Sequence, residues 1–313
     1  MPDDFLLFAG SASRRLGSHI ADNLGIELGN SETLRFSEGN LFVRVLENVR
    51  GRDVFIVQGT AFPANDNFME LLFWIDAFKR ASANSVTAVI PYFSYAKGDK
   101  KDEPRVSIRA RVCADAIEAA GVDRVVTLDL HTPQLQGFFK VPVDDLYALG
   151  TLCEAISADG IDDLVVVSPD SGFVKKARQW ASRLDVPRVV VDKFRSDHTE
   201  RVESAEVIGS VEGMNALIVD DFTLSAGTLT AVSEVLVAQG ARSVRAAVTH
   251  GLLTEEAGRR LDASPIERLF VTDSVEGQHS AFADKVQTVS VAGLFAEAIR
   301  RISNHESLTV LFD

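Results

Sequence analysis

The chain has little of what stabilises a small secreted protein or holds a structural metal ion. Its 313 residues include only 2 cysteines, Cys113 and Cys153. Both lie in alanine-rich segments of helical periodicity, where a small buried thiol is favoured over a disulfide or a metal ligand. We therefore expect two free, buried thiols.

Long apolar runs and an excess of positive charge are also missing. No segment reaches the roughly 18 apolar residues of a membrane-spanning helix. The opening Met-Pro-Asp-Asp-Phe lacks the basic and apolar regions of a signal peptide. A formal net charge of −13 opposes extended binding to nucleic acid or to an anionic membrane. We expect a cytoplasmic protein that contacts phosphates locally and has neither nucleic acid nor membrane as a partner.

What is present is an alternation of short apolar segments with longer segments of helical period. This alternation is typical of a mostly parallel sheet with helices on both faces, so we predict an α/β fold. The predicted strands are 5–8, 53–57, 86–90, 124–128, 164–167, 188–191, 216–219, 244–248 and 268–271, and the predicted helices include 67–81, 108–120, 172–184, 228–239 and 291–302.

The length is sufficient for two domains that each bury a core. A weak similarity between the segments 119–128 and 239–248 indicates a duplicated α/β unit. The chain passes from a turn-rich loop into a new helix near residues 145–150. We therefore predict domains at 1–147 and 148–313.

The segment 216–228, Ala-Leu-Ile-Val-Asp-Asp-Phe-Thr-Leu-Ser-Ala-Gly-Thr, combines features that suit a sugar phosphate. Its apolar start predicts a buried strand that leads to Asp220 and Asp221, two carboxylates that can accept hydrogen bonds from a vicinal diol. The small residues Ser225 to Thr228 then open a helix, where backbone N–H groups, the helix dipole and hydroxyls favour an anion. An ordinary strand-to-helix loop with a helix cap fits the same residues, and both interpretations stay open.

Other polar residues also follow predicted strands, at the edge of the sheet where ligands bind in such folds. His131 and Asp170 each follow an apolar run, and each has a structural alternative: a hydrogen-bonded core histidine and a helix-capping aspartate. The loop 91–105 mixes aromatics with alternating charges, which can stack a base and meet phosphates or pair with one another. The polar stretch 191–201 carries two cations and predicts a flexible loop over phosphate charge or a solvated hairpin tip.

Seven motifs occur in an order that is more specific than any one of them. They are Arg-Phe-Ser-Glu-Gly-Asn (35–40), Asn-Asp-Asn-Phe-Met-Glu-Leu-Leu (65–72), Ala-Val-Ile-Pro-Tyr-Phe-Ser-Tyr-Ala (88–96), Asp-Leu-His-Thr-Pro-Gln-Leu-Gln-Gly-Phe-Phe (129–139), Ser-Pro-Asp-Ser-Gly (168–172), Asp-Lys-Phe-Arg (192–195) and Val-Asp-Asp-Phe-Thr-Leu-Ser-Ala-Gly-Thr (219–228). Over nearly the whole chain, this order resembles the ribose-phosphate pyrophosphokinases, also called phosphoribosyl pyrophosphate synthetases.

The resemblance implies two phosphoribosyltransferase-like domains and a homo-oligomer, a dimer or hexamer. It implies transfer of the β,γ-pyrophosphoryl group of Mg²⁺-bound ATP to the 1-hydroxyl of ribose 5-phosphate, which yields phosphoribosyl pyrophosphate and AMP. By the same resemblance, Lys193 and Arg195 are catalytic cations, which suits a transfer that depends on positioning and electrostatics.

The remaining roles are carried over by position from the same resemblance. Phe36, Glu38, Asn40, Lys97, Asp99, Asp102 and His131 are expected to bind the nucleotide, with Phe36 stacking on adenine from a neighbouring subunit. Asp220 and Asp221 are expected to bind the ribose hydroxyls, and Ser225, Ala226, Gly227 and Thr228 the 5-phosphate. His131 and Asp170 are expected to help hold Mg²⁺.

The chain departs from the family pattern at several of these positions. Leu224-Ser225 replaces an Asp-Thr pair, Lys97-Gly98 replaces Arg-Gln, and Glu38 and Asn40 replace an Asp and a Glu. At the family's phosphate and ADP regulatory site, Asp145 stands in place of a common Asn, and Pro133 also differs. A lysine cannot supply the bidentate fork of an arginine. Two alternatives therefore stay open: a weakly active or inactive regulatory homologue, and a pyrophosphokinase for another pentose 5-phosphate.

Overall fold

The computed structural model of the chain describes residues 5–194, 204–276 and 284–312. Its strands are β1 (Phe5–Ala9), β2 (Ser31–Arg35), β3 (Leu41–Val45), β4 (Asp53–Val57), β5 (Ser85–Ile90), β6 (Arg124–Leu128), β7 (Val143–Leu146), β8 (Leu164–Ser168), β9 (Arg188–Phe194), β10 (Ser204–Ile208), β11 (Asn215–Thr223), β12 (Ser243–Gly251), β13 (Ile266–Thr272) and β14 (Val286–Val289). Its α-helices are α1 (Arg14–Leu24), α2 (Ala64–Arg80), α3 (Arg109–Ala120), α4 (Leu149–Ser157), α5 (Val174–Leu184), α6 (Gly227–Ala238), α7 (Glu255–Ala263) and α8 (Ala292–Ser303). The predicted α/β fold is confirmed.

The chain divides into two compact units. Unit 1 contains residues 1–147, 274–276 and 291–313, and unit 2 contains 148–273 and 277–290. The first change of unit along the chain comes after Tyr147. The structure differs from our prediction at the C-terminus, because α8 packs against α1 in unit 1 and not within unit 2.

Unit 1 contains a five-stranded parallel sheet in the order β1-β4-β5-β6-β7, and a separate antiparallel hairpin of β2 and β3. The central strands are apolar on both faces: Val54, Ile56, Ala88 and Val126 are fully buried. Such continuous burial is what a parallel strand covered by helices requires. The large aromatic side chains of α2, Trp74 among them, pack on this sheet.

Unit 2 contains a seven-stranded sheet in the order β10-β9-β8-β11-β12-β13-β14. Only the β9–β10 pair is antiparallel among the described strands. From β8 the chain adds strands in one direction, and from β11 it adds strands in the other. The sheet therefore reverses its order between β8 and β11, which is where ligands bind in open α/β sheets.

Two further expectations concern membranes and thiols. Every helix in the described ranges is too short or too polar to cross a bilayer.

Cys113 and Cys153 are both free and buried, as predicted. Burial raises the pKa of the Cys113 thiol to about 11 and that of the Cys153 thiol to about 12. Both thiols are therefore protonated and unreactive at neutral pH.

Candidate active site

The reversal of strand order in unit 2 is flanked by carboxylates. Ile218 of β11 pairs with Val167 of β8, so Asp220 lies beside the end of β8. Asp170 follows that end by two residues. The two strands are parallel, and their carboxyl ends therefore lie at one edge of the sheet. The fold thus brings Asp170, Asp220 and Asp221 to the same place.

Asp220 and Asp221 form a closely interacting pair. The backbone N–H of Asp221 donates to Oδ1 of Asp220 at 2.9 Å, and the N–H of Phe222 donates to Oδ1 of Asp221 at 3.0 Å. Burial raises the pKa of Asp220 well above its ordinary value, and the charges of Asp221 and Asp170 raise it further. A carboxyl group with a raised pKa and charged neighbours at a ligand edge marks a functional-site candidate.

Asp170 lies in the turn that leads from β8 to α5. Its Oδ1 accepts the backbone N–H of Phe173 at 2.9 Å, just before α5 begins at Val174. Phe173 is the N-cap residue of α5 and the helix has no side-chain capping bond, so Asp170 fixes the turn before the helix and does not cap it. Because its charge also acts on Asp220, Asp170 contributes to the carboxylate cluster as well.

Lys176 is a cation at this cluster that our sequence reasoning missed. Its Nζ lies 3.9 Å from Oδ2 of Asp221 and 5.5 Å from the centre of the Phe173 ring. The side chain is 28% exposed, whereas that of Asp221 is 8% exposed. The available signal was the position: Lys176 lies in the first turn of α5, the helix that starts at the ligand edge.

The small-residue turn after β11 leads directly into α6, which begins at Gly227. Ala226 adopts a left-handed conformation, with φ of +55° and ψ of 3°, and its side chain is buried. The N–H of Gly227 donates to Oγ of Ser225 at 3.4 Å. Ser225 and Thr228 are half-buried. This turn places small residues at a helix N-terminus, the arrangement that suits an anion.

The two predicted catalytic cations lie in and beyond β9. Our expectation that a loop begins directly after Val191 is wrong, because β9 continues to Phe194. The backbone of Lys193 pairs with Ala205 of β10, which places Lys193 in an antiparallel ladder. β9 adjoins β8, and Ser168 pairs with Val190. Lys193 therefore belongs to the strand next to the carboxylate cluster, while Arg195 lies outside the described residues.

Predicted nucleotide residues of unit 1 lie on two loops that follow neighbouring strands, β5 and β6. Oγ1 of Thr132 donates to Oδ2 of Asp99 at 2.9 Å, which joins the loop of Lys97 to the loop of His131. Lys97 and Asp102 are exposed, and His131 is half-buried. Asp102 Oδ1 lies 3.8 Å from Nζ of Lys100. The fold thus gathers these side chains at one edge of the unit 1 sheet.

The other predicted nucleotide residues lie on the turn between β2 and β3. Phe36 is 47% exposed, although its ring centre lies 6.0 Å from that of Phe42. Glu38 and Asn40 are exposed, and their side chains interact at 3.4 Å. An exposed aromatic at a hairpin tip can stack on a planar ring.

Glu70 of α2 fixes this hairpin to unit 1. Its carboxylate is 1% exposed and accepts hydrogen bonds from Ser11 N at 2.9 Å, Thr33 Oγ1 at 3.1 Å and Trp74 Nε1 at 3.2 Å. The hydroxyl of Ser11 donates to its second oxygen. Four donors compensate for the burial of this charge. Thr33 belongs to β2, so Glu70 ties the hairpin to the α2 helix and the loop after β1.

The carboxylates of unit 2 supply hard oxygen ligands, which suit Mg²⁺. Within the described ranges, no group of three or more His, Cys, Asp or Glu side chains could hold a metal ion. Mg²⁺ in phosphoryl-transfer sites is commonly bound by one or two carboxylates together with substrate phosphates. The residues present therefore fit an ion that arrives with a nucleotide.

Comparison with known proteins decides the family. Residues 5–121 match the model of the N-terminal domain of ribose phosphate pyrophosphokinase, and residues 198–313 match that of the phosphoribosyl synthetase-associated domain. The chain is 45% identical over 311 residues to the ribose-phosphate pyrophosphokinase of Porphyromonas gingivalis. The alignment covers 99% of this chain and 98% of that protein. The chain belongs to the ribose-phosphate pyrophosphokinase family.

Two further members of this family are similar to the chain over nearly its whole length. The ribose-phosphate pyrophosphokinase of Vibrio vulnificus is 46% identical over 316 residues, covering 100% of both chains. A crystal structure of phosphoribosylpyrophosphate synthetase from Mycobacterium smegmatis is 38% identical and covers 96% of this chain and 99% of that one, with a TM-score of 0.91. The resemblance inferred from seven motifs is confirmed, and so is the fold that it implied.

Proposed function

We propose that this protein is a ribose-phosphate diphosphokinase that converts ATP and ribose 5-phosphate into phosphoribosyl pyrophosphate and AMP. The observation that carries the proposal is the carboxylate pair and phosphate turn at the strand reversal of unit 2, in a chain of this family. The 1-hydroxyl oxygen of the sugar attacks the β-phosphorus of ATP. The bond from that phosphorus to the oxygen bridging to the α-phosphorus breaks, AMP leaves, and the hydroxyl proton is released.

Asp220 and Asp221 orient the pentose by accepting hydrogen bonds from its hydroxyls, and Ser225 to Thr228 hold the 5-phosphate. Their order along the chain supports these roles: β11 carries the carboxylates, and the turn follows at the N-terminus of α6. Fixing both ends of the sugar aligns the 1-hydroxyl with the phosphorus that it attacks. Such positioning contributes much of the rate enhancement in reactions in which the protein forms no covalent bond to its substrates.

Lys193 and Arg195 stabilise the charge that develops on the transferring group. The backbone position of Lys193, on the strand next to β8, supports this role for the lysine. Asp170 and His131 assist in holding Mg²⁺, and the bound ion supplies neutralisation of triphosphate charge. Fixed positive charges aimed at the transition state are worth more in a water-poor site than in bulk water.

The nucleotide is held by the exposed groups of unit 1. Phe36 stacks on adenine with Glu38 and Asn40 beside it, and Lys97, Asp99 and Asp102 meet the ribose and phosphates. The hairpin tip supports a role across subunits, because the Phe36 ring is exposed in the single chain. We propose a homo-oligomer, either a dimer or a hexamer, in the cytoplasm. Light scattering after size-exclusion chromatography measures the oligomer directly.

The function is tested by incubating the purified protein with Mg²⁺, ATP and ribose 5-phosphate, and by separating the nucleotides chromatographically. We expect AMP to appear in step with phosphoribosyl pyrophosphate, with little ADP. Arabinose and xylose 5-phosphates, run in parallel, test the acceptor, since an exposed leucine, Leu224, directly precedes the proposed 5-phosphate turn. Absence of AMP with all three sugars would favour a regulatory homologue.

A further inference from the structure

Arg260 is a cation beside the phosphate turn that the motifs do not include. A Cβ atom placed on Gly227 would lie 3.3 Å from Nη1 of Arg260 and 3.3 Å from Oγ of Ser225. The guanidinium therefore lies against the open face of the glycine at which α6 begins. A side chain at this position would be in tight contact with the guanidinium, which would have to shift by a few tenths of an ångström.

The fold holds Arg260 in this position from the other side. Arg260 lies on α7, which packs against α6, and α7 is fixed by buried Ala257 and Leu261. Oε1 of Glu256, one helical turn earlier, accepts a hydrogen bond from Nη2 of Arg260 at 2.5 Å. One terminal nitrogen is thus bound to Glu256, and it is the other, Nη1, that faces Gly227.

The neighbouring Arg259 is an ordinary surface arginine of the same helix and serves for comparison. It also pairs with a glutamate four residues earlier, with Nη1 3.8 Å from Oε2 of Glu255. The Arg259 side chain is 73% exposed, whereas that of Arg260 is 39% exposed. Two adjacent arginines with the same pairing pattern therefore differ in burial and in contact with the turn.

A cation near this turn would strengthen the binding of a phosphate. The protein carries a formal net charge of −13, and Asp220 and Asp221 lie on the strand that leads into the turn. Backbone N–H groups and a helix dipole supply only partial positive charge. A guanidinium carries a full charge, and Nη1, the terminal nitrogen of Arg260 that is not bound to Glu256, can donate to phosphate oxygens.

We propose that Arg260 binds the 5-phosphate of the pentose and sets the preference for a phosphorylated over an unphosphorylated sugar. The inference rests on the proposed function, because it takes the turn at Ser225 to Thr228 as the 5-phosphate site. Glu256 orients the guanidinium, and Nη1 completes the ring of donors that the turn begins.

The test compares Arg260→Ala, Arg260→Lys and the matched control Arg259→Ala in the full-length protein. The rate of AMP release is measured at varied concentrations of ribose 5-phosphate, of ribose and of ATP. Arg260→Ala should raise the KM for ribose 5-phosphate about 10- to 100-fold while the KM for ATP stays within about twofold. Lysine should restore part of the affinity, and Arg259→Ala should behave as wild type.

A structural role is separated from a binding role by the unphosphorylated sugar. If Arg260 contacts the phosphate, Arg260→Ala lowers kcat/KM for ribose 5-phosphate but not for ribose, so the ratio of the two falls. An equal loss for both sugars, or a KM that matches Arg259→Ala, overturns the inference while the proposed function stands.

The rise in thermal midpoint on adding ribose 5-phosphate gives a second readout that needs no turnover. Wild type and Arg259→Ala should show this rise, and Arg260→Ala should lose most of it. If wild type releases no AMP but the rise depends on Arg260, the inference holds and the proposed function fails. If ribose 5-phosphate stabilises no variant and no AMP forms, both are wrong.

Discussion

The carboxylate of Asp220 accepts the backbone N–H of the next residue, Asp221, at 2.9 Å between Oδ1 and N. The bond keeps one carboxylate oriented along the strand toward its partner. Burial and the charges of Asp221 and Asp170 raise the pKa of Asp220, so the folded protein holds the proton of this group more tightly than the unfolded chain does. A charged Asp220 at neutral pH therefore lowers the stability of the folded protein.

We predict that Asp220→Asn stabilises the protein at neutral pH. The pKa of Asp220 is higher in the folded state, so its favourable contribution exists below the unfolded pKa of about 3.9 and is lost as the pH rises through the folded pKa. Above that range the charged carboxylate disfavours folding. Asparagine keeps the acceptor for the N–H of Asp221 and removes the charge.

The measurement is the thermal midpoint between pH 4 and pH 8. Asp220→Asn should raise the midpoint at pH 8, by about 2–4 °C for each kcal/mol recovered, and the gain should shrink toward pH 4. It should also raise the KM for ribose 5-phosphate about tenfold. Asp163→Asn removes an exposed aspartate that pairs with Arg242 at 3.2 Å, and serves as the control. A gain that does not depend on pH would contradict the assignment.

Glu70→Gln should destabilise the protein by about 1–3 kcal/mol, because an amide cannot accept from every donor that the buried carboxylate binds. Its NH₂ group would face the donors of Ser11, Thr33 or Trp74. Asp66→Asn, which removes an exposed pair to Arg35 at 2.7 Å, should change stability by less than about 1 kcal/mol. Denaturant unfolding compares the two variants.

A consequence for the nucleotide follows from the same contact. Thr33 lies on β2, the strand that leads to Phe36, so loosening Glu70 should raise the KM for ATP more than the KM for ribose 5-phosphate. Equal changes in both constants would show that Glu70 acts on stability alone.

The two thiols should resist thiol-specific reagents in the native protein. Burial raises the pKa values of Cys113 and Cys153 to about 11 and about 12, so the reactive thiolate is scarce at pH 8. A thiol-reactive chromophore should titrate fewer than one thiol per chain under native conditions and two after unfolding. Rapid reaction of both native thiols would contradict their burial.

The sequence was sufficient for the strands of both sheets that carry long apolar runs, since burial on two faces leaves that pattern directly in the residues. It was not sufficient for the hairpin of β2 and β3. Segments such as Ser31–Arg35 are only partly buried and mix polar with apolar residues, so their pairing with Leu41–Val45 leaves no strong alternation. The extension of β9 to Phe194 likewise depends on its pairing with β10.

Long-range packing set the other limits of prediction. The sequence of α8 contains no signal that it packs against α1, a helix at the opposite end of the chain. The segment of Arg259 and Arg260 has the charges of an ordinary solvated helix. Only the packing of α7 against α6 distinguishes the arginine that reaches Gly227 from its neighbour.

Asp170, Asp220 and Asp221, which the motifs include, lie at one edge of the unit 2 sheet. Parallel strands explain this placement, because residues that follow such strands meet at the same edge. The roles of these residues remain predictions, and the variants described above test them.

The central claim is that ATP gives up its β- and γ-phosphates together to the sugar. The most direct measurement uses ATP labelled at the β-phosphorus, with ribose 5-phosphate and Mg²⁺, and follows the label after separation of the products. The account predicts that the label moves to the sugar as part of phosphoribosyl pyrophosphate while unlabelled AMP accumulates. A label that stays on the nucleotide as ADP would contradict it.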